Sequence, residues 1–186
     1  IHQTTRSEEQ IKLQQFSTPL GIGYLTSIAL GKVTSSDVLM EPSAGTGLLP
    51  SIAIGASDEA TPSLILNEIS PQRREILTNV FPGTKVHNIN AEFINDFLSL
   101  SEKPNLVLMN PPFSTSPNRS KRNPDACFKH LKSALLRLQP GGRLVGIVAH
   151  WLSPEKHPQY FAQLPAQLQG SFFVPGFHYR FHGTTM

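Results

Sequence analysis

Apolar runs alternate with helix-like segments along most of the chain, from residue 36 onward. Short, nearly all-apolar runs are typical of buried parallel strands, and apolar residues that recur every three to four positions indicate amphipathic helices. Strands are predicted at residues 37–40, 63–66, 84–88, 105–109, 143–149 and 171–174. Helices are predicted at residues 7–15, 20–32, 48–56, 71–80, 93–100, 125–138 and 154–168, the last interrupted or ended near Pro165.

This order of elements predicts an α/β fold with a mostly parallel, twisted sheet that carries helices on both faces. Pro71 at a first helical position and Asp125 at a cap position mark the starts of two of the helices. In sheets of this kind, ligands bind at the carboxyl ends of the strands. The loops that should carry function therefore follow Met40, Leu66, Asn88 and Met109, and all four contain unusual polar residues.

Composition narrows the class of protein. The chain has 186 residues, about one domain, and its 39% hydrophobic content is enough for a core. The single cysteine, Cys127, excludes a disulfide framework, and the seven histidines fit no zinc spacing, so we expect no metal. No apolar run is long enough to span a membrane, and no signal peptide is visible. Because the chain begins at Ile1, we expect it to be a piece of a longer protein.

The net charge of +3 is compatible with nucleic acid but does not argue for it alone. One small basic cluster lies in the loop after the strand at residues 105–109. Its members are Arg119, Lys121 and Arg122. They are either candidate contacts to nucleic-acid phosphates or part of a solvated loop.

The loops after the first two strands carry the chemistry of a nucleoside-containing cofactor. Gly45 and Gly47 precede a helix, where glycine lets a ligand approach the backbone. Glu68 follows the second strand, where a carboxylate commonly binds ribose hydroxyls. The third glycine of the dinucleotide fingerprint is missing, and Glu41 would repel a pyrophosphate. These residues favour a cationic or zwitterionic nucleoside over NAD.

The tetrapeptide Asn110-Pro111-Pro112-Phe113 ends the most apolar predicted strand. Two prolines fix the backbone and remove two donors, so the carbonyls become rigid acceptors. Asn110 adds a side-chain acceptor and Phe113 an aromatic face. This set suits a planar group that carries an NH2. The alternative is a rigid strand-end turn in which Phe113 is buried.

Four stretches resemble the class I S-adenosylmethionine-dependent amino-methyltransferases, particularly the DNA adenine-N6 family with the gamma-type motif order. Gln15–Pro19 resembles the upstream cofactor motif, and Glu41–Gly47 resembles the glycine motif. Asn90–Phe93 resembles the segment beside the cofactor's adenine, and Asn110–Phe113 resembles the catalytic tetrapeptide. The resemblance covers roughly residues 13 to 186 and implies a Rossmann-like methyltransferase fold. The last residues also resemble methyltransferase regions fused to helicases in phage and plasmid proteins.

The resemblance implies S-adenosyl-L-methionine as the cofactor, with S-adenosylhomocysteine as the product. Gly45 and Gly47 would lie against its methionyl part, Glu41 near its positive end, and Thr18 at its carboxylate. Glu68 would hold the ribose hydroxyls. Glu92 would accept a hydrogen bond from the cofactor's adenine, although the family more often has Asp there. The full implied cofactor set is Phe16, Thr18, Pro19, Glu41, Pro42, Ser43, Ala44, Gly45, Gly47, Glu68, Ile69, Ala91, Glu92, Phe93 and Asn110.

The implied reaction is methyl transfer to the N6 amine of a flipped adenine in DNA, with no metal and no covalent nucleophile. Phe113 would stack on the base, and the Asn110 side-chain oxygen and the Pro111 carbonyl would accept the two N6 hydrogens. Such an enzyme would be cytoplasmic, as in restriction-modification, and encoded by a bacterium, phage or plasmid.

The expected domains are an N-terminal helical segment at residues 1–32 that carries the upstream motif and a catalytic domain at residues 33–186. We expect a truncated final strand and no target-recognition domain, so recognition would come from elsewhere in the parent chain, from a helicase region or from a partner subunit. Two alternatives stay open. One is methylation of RNA base amines or of a protein glutamine, and the other is a non-catalytic cofactor- or DNA-binding module.

Overall fold

The computed structural model describes residues 17–113, 125–176 and 178. Its centre is an all-parallel sheet of five strands in the order β3-β2-β1-β4-β5. The strands are β1 (Val38–Glu41), β2 (Ser63–Asn67), β3 (Val86–His87), β4 (Leu106–Met109) and β5 (Arg143–Gly146). The chain first builds outward from β1 to β3 and then crosses back to place β4 on the other side of β1. This reversal creates a crevice at the carboxyl ends of β1 and β4.

The connecting segments are mainly helical. They are α1 (Leu20–Leu30), α2 (Leu48–Gly55), α3 (Pro71–Val80), α4 (Ile94–Phe97), α5 (Ala126–Arg137) and α6 (Pro158–Phe161). A 3-10 helix, Ala91–Phe93, leads directly into α4. No helix in the described part of the chain is long and apolar enough to cross a membrane.

Alternate residues of the central strands face opposite layers, as the strand period requires. Leu39, Leu106 and Leu108 are buried in a cluster with residues of α1 and α2. Met40, Val107 and Met109 are buried in a second cluster with residues of α4 and α5. Both faces of the sheet are therefore covered by helices. This arrangement confirms the predicted α/β fold and explains why the strands are apolar without alternation.

The C-terminal part of the described chain differs from the prediction. Instead of one helix over residues 154–168, only the four residues of α6 are α-helical. Residues 171–174 form no strand, and Phe172 and Phe173 are 62% and 70% exposed. The apolar side chains of residues 171–174 predict a buried strand, but no neighbouring strand pairs with them within the described residues. The predicted helix at residues 7–15 lies outside the described residues.

Three residues near the core show how the C-terminal part packs. Cys127 is buried, and Trp151 packs at the edge of the core. Asp125 does occupy the cap position of α5, but its side chain makes no capping bond. It instead accepts a hydrogen bond of 2.6 Å from the Tyr160 hydroxyl. This bond joins the start of α5 to α6.

Candidate functional site

A cleft opens at the carboxyl ends of β1, β2 and β4. The residues that line it come from loops that lie far apart in the sequence. The strand order of the sheet brings these loops together. Eleven of the residues predicted from the sequence line it: Thr18, Glu41, Pro42, Ser43, Ala44, Gly45, Glu68, Ile69, Ala91, Asn110 and Pro112. The structure therefore brings most of the predicted cofactor set and part of the tetrapeptide into one concave site.

Glu68 holds the glycine turn that forms one wall of the cleft. Its carboxylate accepts hydrogen bonds from the backbone N–H of Gly45 at 2.7 Å and of Ser70 at 2.8 Å. Burial raises the pKa of Glu68, while these two N–H donors and the charge of Arg73 act in the opposite direction. Each carboxylate oxygen retains a further lone pair, so Glu68 can still accept from a ligand's hydroxyl groups.

Glu41, at the end of β1, is a second buried carboxyl in the cleft and is 2% exposed. Its Oε2 has no hydrogen-bond partner among the described residues. Burial raises the pKa of Glu41 well above its usual value, and the nearby charge of Glu68 raises it further. A cationic group in the cleft would relieve both effects, since an opposite charge favours the ionised form. A negatively charged pyrophosphate would instead raise the pKa of Glu41 further.

Different structural requirements favour glycine at the two glycine positions of the turn. Gly45 has a φ of +57° and lines the cleft. Gly47 has a φ of +87°, and a Cβ there would lie 2.5 Å from Phe81 and 2.8 Å from Leu77. The sequence predicts that both glycines contact a ligand. The structure assigns Gly45 to the cleft, whereas Gly47 lets the turn pack closely against α3.

Asn110 is bonded to Thr18 at the opposite wall of the cleft. The Asn110 Nδ2 donates a hydrogen bond of 2.9 Å to the Thr18 hydroxyl. Thr18 lies in the extended segment just before α1, and Asn110 directly follows β4. With its amide nitrogen engaged by Thr18, Asn110 keeps Oδ1 as a hydrogen-bond acceptor. The upstream motif and the tetrapeptide, distant in sequence, therefore meet at one amide.

Other predicted site residues lie around the cleft rather than in its lining. Pro19 and Pro111 are buried. Phe113 is half-buried and packs against the core cluster of α4 and α5. Glu92 is half-buried and Phe93 is 46% exposed, both in the 3-10 helix that is capped by the Asn90 side chain. Phe16, Arg119, Lys121 and Arg122 fall outside the described residues.

Asn67 is an organising residue that the sequence argument missed. It ends β2 and is 1% exposed. Its Nδ2 donates to the Pro42 carbonyl at 2.7 Å and to the Ile89 carbonyl at 2.9 Å, and its Oδ1 accepts from the Ile89 N–H at 2.7 Å. One buried amide therefore joins the loops after β1 and β3. A polar residue closing an apolar strand was the available sequence signal.

Two further cleft residues were also missed. Arg73, on α3, lines the cleft and lies close enough to Glu68 to affect its pKa. His130, on α5, lines it and is 3% exposed. Within the described ranges, no group of three His, Cys, Asp or Glu side chains could hold a metal ion.

No protein-family model matches the sequence, and no curated protein matches it. Solved structures do match. The methyltransferase subunit of a type I restriction-modification system from Streptococcus thermophilus superposes with a TM-score of 0.59 at 20% identity, covering 73% of this chain and 35% of that one. The modification subunit of a proposed type I restriction enzyme from Vibrio vulnificus gives 0.60 at 13% identity, covering 74% and 35%.

A proposed RNA methyltransferase from Pyrococcus horikoshii gives a TM-score of 0.59 at 21% identity, covering 86% of this chain and 72% of that chain. The chain spans about a third of the length of the two type I subunits. With its five parallel strands in the order β3-β2-β1-β4-β5, this chain has the Rossmann-like fold of class I methyltransferases.

Proposed function

We propose that this chain transfers a methyl group from S-adenosyl-L-methionine to the exocyclic N6 amine of adenine in DNA. The observation that supports this most directly is the hydrogen bond between Asn110 and Thr18. It holds an amide acceptor at the rim of a cleft that also contains Glu41 and Glu68. An acceptor for an NH2 group beside an acidic pocket suits amine methylation with a cationic methyl donor.

The residues of the cleft fit this cofactor. Glu41 has a buried oxygen with no hydrogen-bond partner in the described chain, and a sulfonium or ammonium group would supply the missing positive charge. Glu68 would accept from the ribose hydroxyls while keeping the Gly45 turn in place. Thr18 would contact the methionyl carboxylate. When bound, the cofactor supplies an activated methyl group.

The chain's own residues would act on the acceptor amine. Asn110 Oδ1 and the Pro111 carbonyl would accept the two N6 hydrogens and orient the nitrogen lone pair. The bound cofactor would supply the methyl group for a new bond to this nitrogen, and the electron pair of its carbon–sulfur bond would stay on sulfur. The N6 proton would then be lost to solvent. Positioning and electrostatic stabilisation would supply the catalysis.

Binding of the substrate base requires adenine to leave the helix. We propose that Phe113 stacks on it with the exposed part of its ring and that Arg119, Lys121 and Arg122 contact phosphates. Recognition of a specific sequence would belong to another region of the parent chain, such as a recognition domain or a helicase, or to a partner subunit. We propose a bacterial cytoplasm as the setting, with the protein encoded by a bacterium, phage or plasmid.

Transfer of a labelled methyl group tests the proposal. The chain is incubated with tritiated S-adenosyl-L-methionine and unmethylated DNA, ribosomal RNA or a glutamine peptide, and the modified product is identified by mass spectrometry. The structural neighbours include a type I restriction-modification subunit and a proposed RNA methyltransferase, so both nucleic acids are needed. We expect N6-methyladenine in DNA. Methyl transfer to RNA or peptide alone would overturn the DNA assignment, and cofactor binding without any transfer would favour a non-catalytic module.

Asn110→Ala separates catalysis from cofactor binding. Loss of a preorganised hydrogen-bonding group costs on the order of 100-fold in rate. We expect that loss with an affinity for S-adenosylhomocysteine close to that of the wild type. Asn79→Ala, at an exposed position of α3, is the matched control and should keep full activity. An unchanged transfer rate in Asn110→Ala would remove Asn110 from the mechanism.

A further inference from the structure

His130 is a buried polar side chain whose hydrogen-bonding capacity is unused. It lines the cleft and is 3% exposed. Neither Nδ1 nor Nε2 has a hydrogen-bond partner among the described residues. Buried polar groups are nearly always bonded, and the exceptions call for an explanation. Because His130 faces a cleft rather than the middle of the core, a ligand in that cleft can provide the missing partner.

The neighbours of α5 show where along the cleft His130 lies. Lower on the helix, the Arg137 Nε donates to the Glu102 carbonyl at 2.9 Å. One turn earlier, the Ser133 hydroxyl accepts from the Asn95 N–H at 3.1 Å. These contacts show that α5 runs alongside the segment from the 3-10 helix to Glu102. Another turn earlier on the same face comes His130. The helix α5 also packs against the 3-10 helix Ala91–Phe93, and His130 and Ala91 line the same cleft.

This end of the cleft has the character of a purine site. Ile89, Asn90 and Ala91 line it together with His130. Ile89 and Ala91 offer apolar surface for a planar ring. A purine edge presents ring nitrogens that accept hydrogen bonds and, in adenine, an amine that donates them.

The charge of His130 also suits such a ligand. Burial lowers the pKa of His130 to about 4, so its imidazole is neutral near pH 7. A neutral imidazole has one N–H donor and one nitrogen acceptor. It can therefore bond an uncharged heterocycle without adding a further charge to the cleft.

We propose that His130 binds the adenine ring of the bound S-adenosyl nucleoside through a hydrogen bond between its imidazole and the polar edge of the purine. This inference rests on the proposed function, since it takes that nucleoside as the ligand. It adds a residue of α5 to the predicted adenine site, and α5 follows the tetrapeptide in the sequence. His130 is thus a determinant of cofactor affinity.

Calorimetric titration with S-adenosylhomocysteine, without nucleic acid, tests the assignment. The wild-type chain is compared with His130→Phe and His130→Leu, which remove both ring nitrogens, and with His150→Phe at an exposed position. We expect binding at least about tenfold weaker in both His130 variants and unchanged in His150→Phe. S-inosylhomocysteine has an oxo group in place of the amine. If His130 bonds to the amine, the affinities of the wild type and the variants for this ligand should differ less than their affinities for S-adenosylhomocysteine.

Two readouts separate binding from a structural role. Removing unbonded buried nitrogens should leave the melting temperature of the unliganded protein equal or higher in at least one of the two variants. In nitrogen-15 spectra of the wild type, the ring nitrogen signals of His130 should shift when S-adenosylhomocysteine is added. A lower melting temperature in both variants with unchanged affinity would assign His130 to the core and overturn the inference.

The outcomes also distinguish the two proposals. If the wild type binds S-adenosylhomocysteine and both His130 variants bind it equally well, the His130 assignment fails and the proposed function stands. Should the variants lose only binding of substrate nucleic acid, His130 belongs to the target base instead and this inference is wrong. A wild type that binds no S-adenosyl nucleoside refutes both proposals.

Discussion

The Nδ2 of Asn110 lies 2.9 Å from the hydroxyl oxygen of Thr18 and donates a hydrogen bond to it. The bond joins the segment just before α1 to the residue just after β4, both at the edge of the cleft. It determines which end of the Asn110 amide remains available as an acceptor. Thr18 therefore has a second role besides contact with a cofactor, namely to orient the amide that would hold the substrate amine.

Thr18→Val should reduce methyl transfer about two- to tenfold, because a neutral hydrogen bond contributes roughly 0.5–1.5 kcal/mol. Thr18→Ser keeps the hydroxyl and should retain most of the activity. Single-turnover rates at saturating cofactor report the effect on Asn110, and the dissociation constant for S-adenosylhomocysteine reports the effect on binding. Equal single-turnover rates in the valine and serine variants would show that the bond does not position Asn110.

Glu68→Ala should impair both stability and cofactor binding, since the carboxylate accepts from Gly45 and Ser70. Hydrogen bonds to charged groups contribute about 1.5–3 kcal/mol each. Glu68→Gln keeps an acceptor oxygen and should lose less. Thermal unfolding and calorimetry on the two variants separate the effects. A Glu68→Ala protein with wild-type stability would mean that the turn does not depend on the carboxylate.

Glu41→Gln should make the unliganded protein more stable at neutral pH. The pKa of Glu41 is raised in the folded state, so unfolding releases a proton at any pH between the unfolded and folded pKa values. The contribution of Glu41 to stability is therefore greatest below about pH 4.5 and is lost as the pH rises through the folded pKa. Denaturant melts from pH 4 to 8 should show this decline in the wild type and a smaller one in the variant. An identical pH slope in both proteins would contradict the raised pKa.

Gly47→Ala should destabilise the fold more than Gly45→Ala. Both positions have positive φ, which costs a non-glycine residue on the order of 1–3 kcal/mol. Only at Gly47 would the new methyl group also lie within 3 Å of Leu77 and Phe81. Melting temperatures should fall by about 2–4 °C for each kcal/mol in a chain of this size. Equal losses in the two variants would show that close packing against α3 adds nothing.

The sequence predicted the central strands well, because a strand buried on both faces shows as an uninterrupted apolar run, as in Leu106–Met109. It predicted the segment after β5 poorly. Phe172 and Phe173 look like strand residues, yet a strand depends on a neighbour to pair with, and sequence alone does not reveal whether one exists.

The candidate site was predictable where chemistry follows from residue type, as for Glu41, Glu68 and Asn110. It was not predictable where a side chain forms hydrogen bonds with backbone groups of another loop. The bonds of Glu68 to Gly45 and of Asn67 to Ile89 depend on loops that converge only in three dimensions. His130 could have been found, because it shares the buried face of α5 with Cys127, Leu131 and Ala134 at helical spacing.

The crossover from β3 to β4 divides the residues that line the cleft into two groups, one before it in the chain and one after it. Glu41 and Glu68 belong to the part before it, whereas Asn110 and His130 belong to the part after it. A molecule held by both parts would act as a bridge across the strand pair Leu39–Leu106 and Met40–Val107. Amide hydrogen exchange in β1 and β4 should then slow together when the cleft is occupied, since opening this seam would require the bridge to be released.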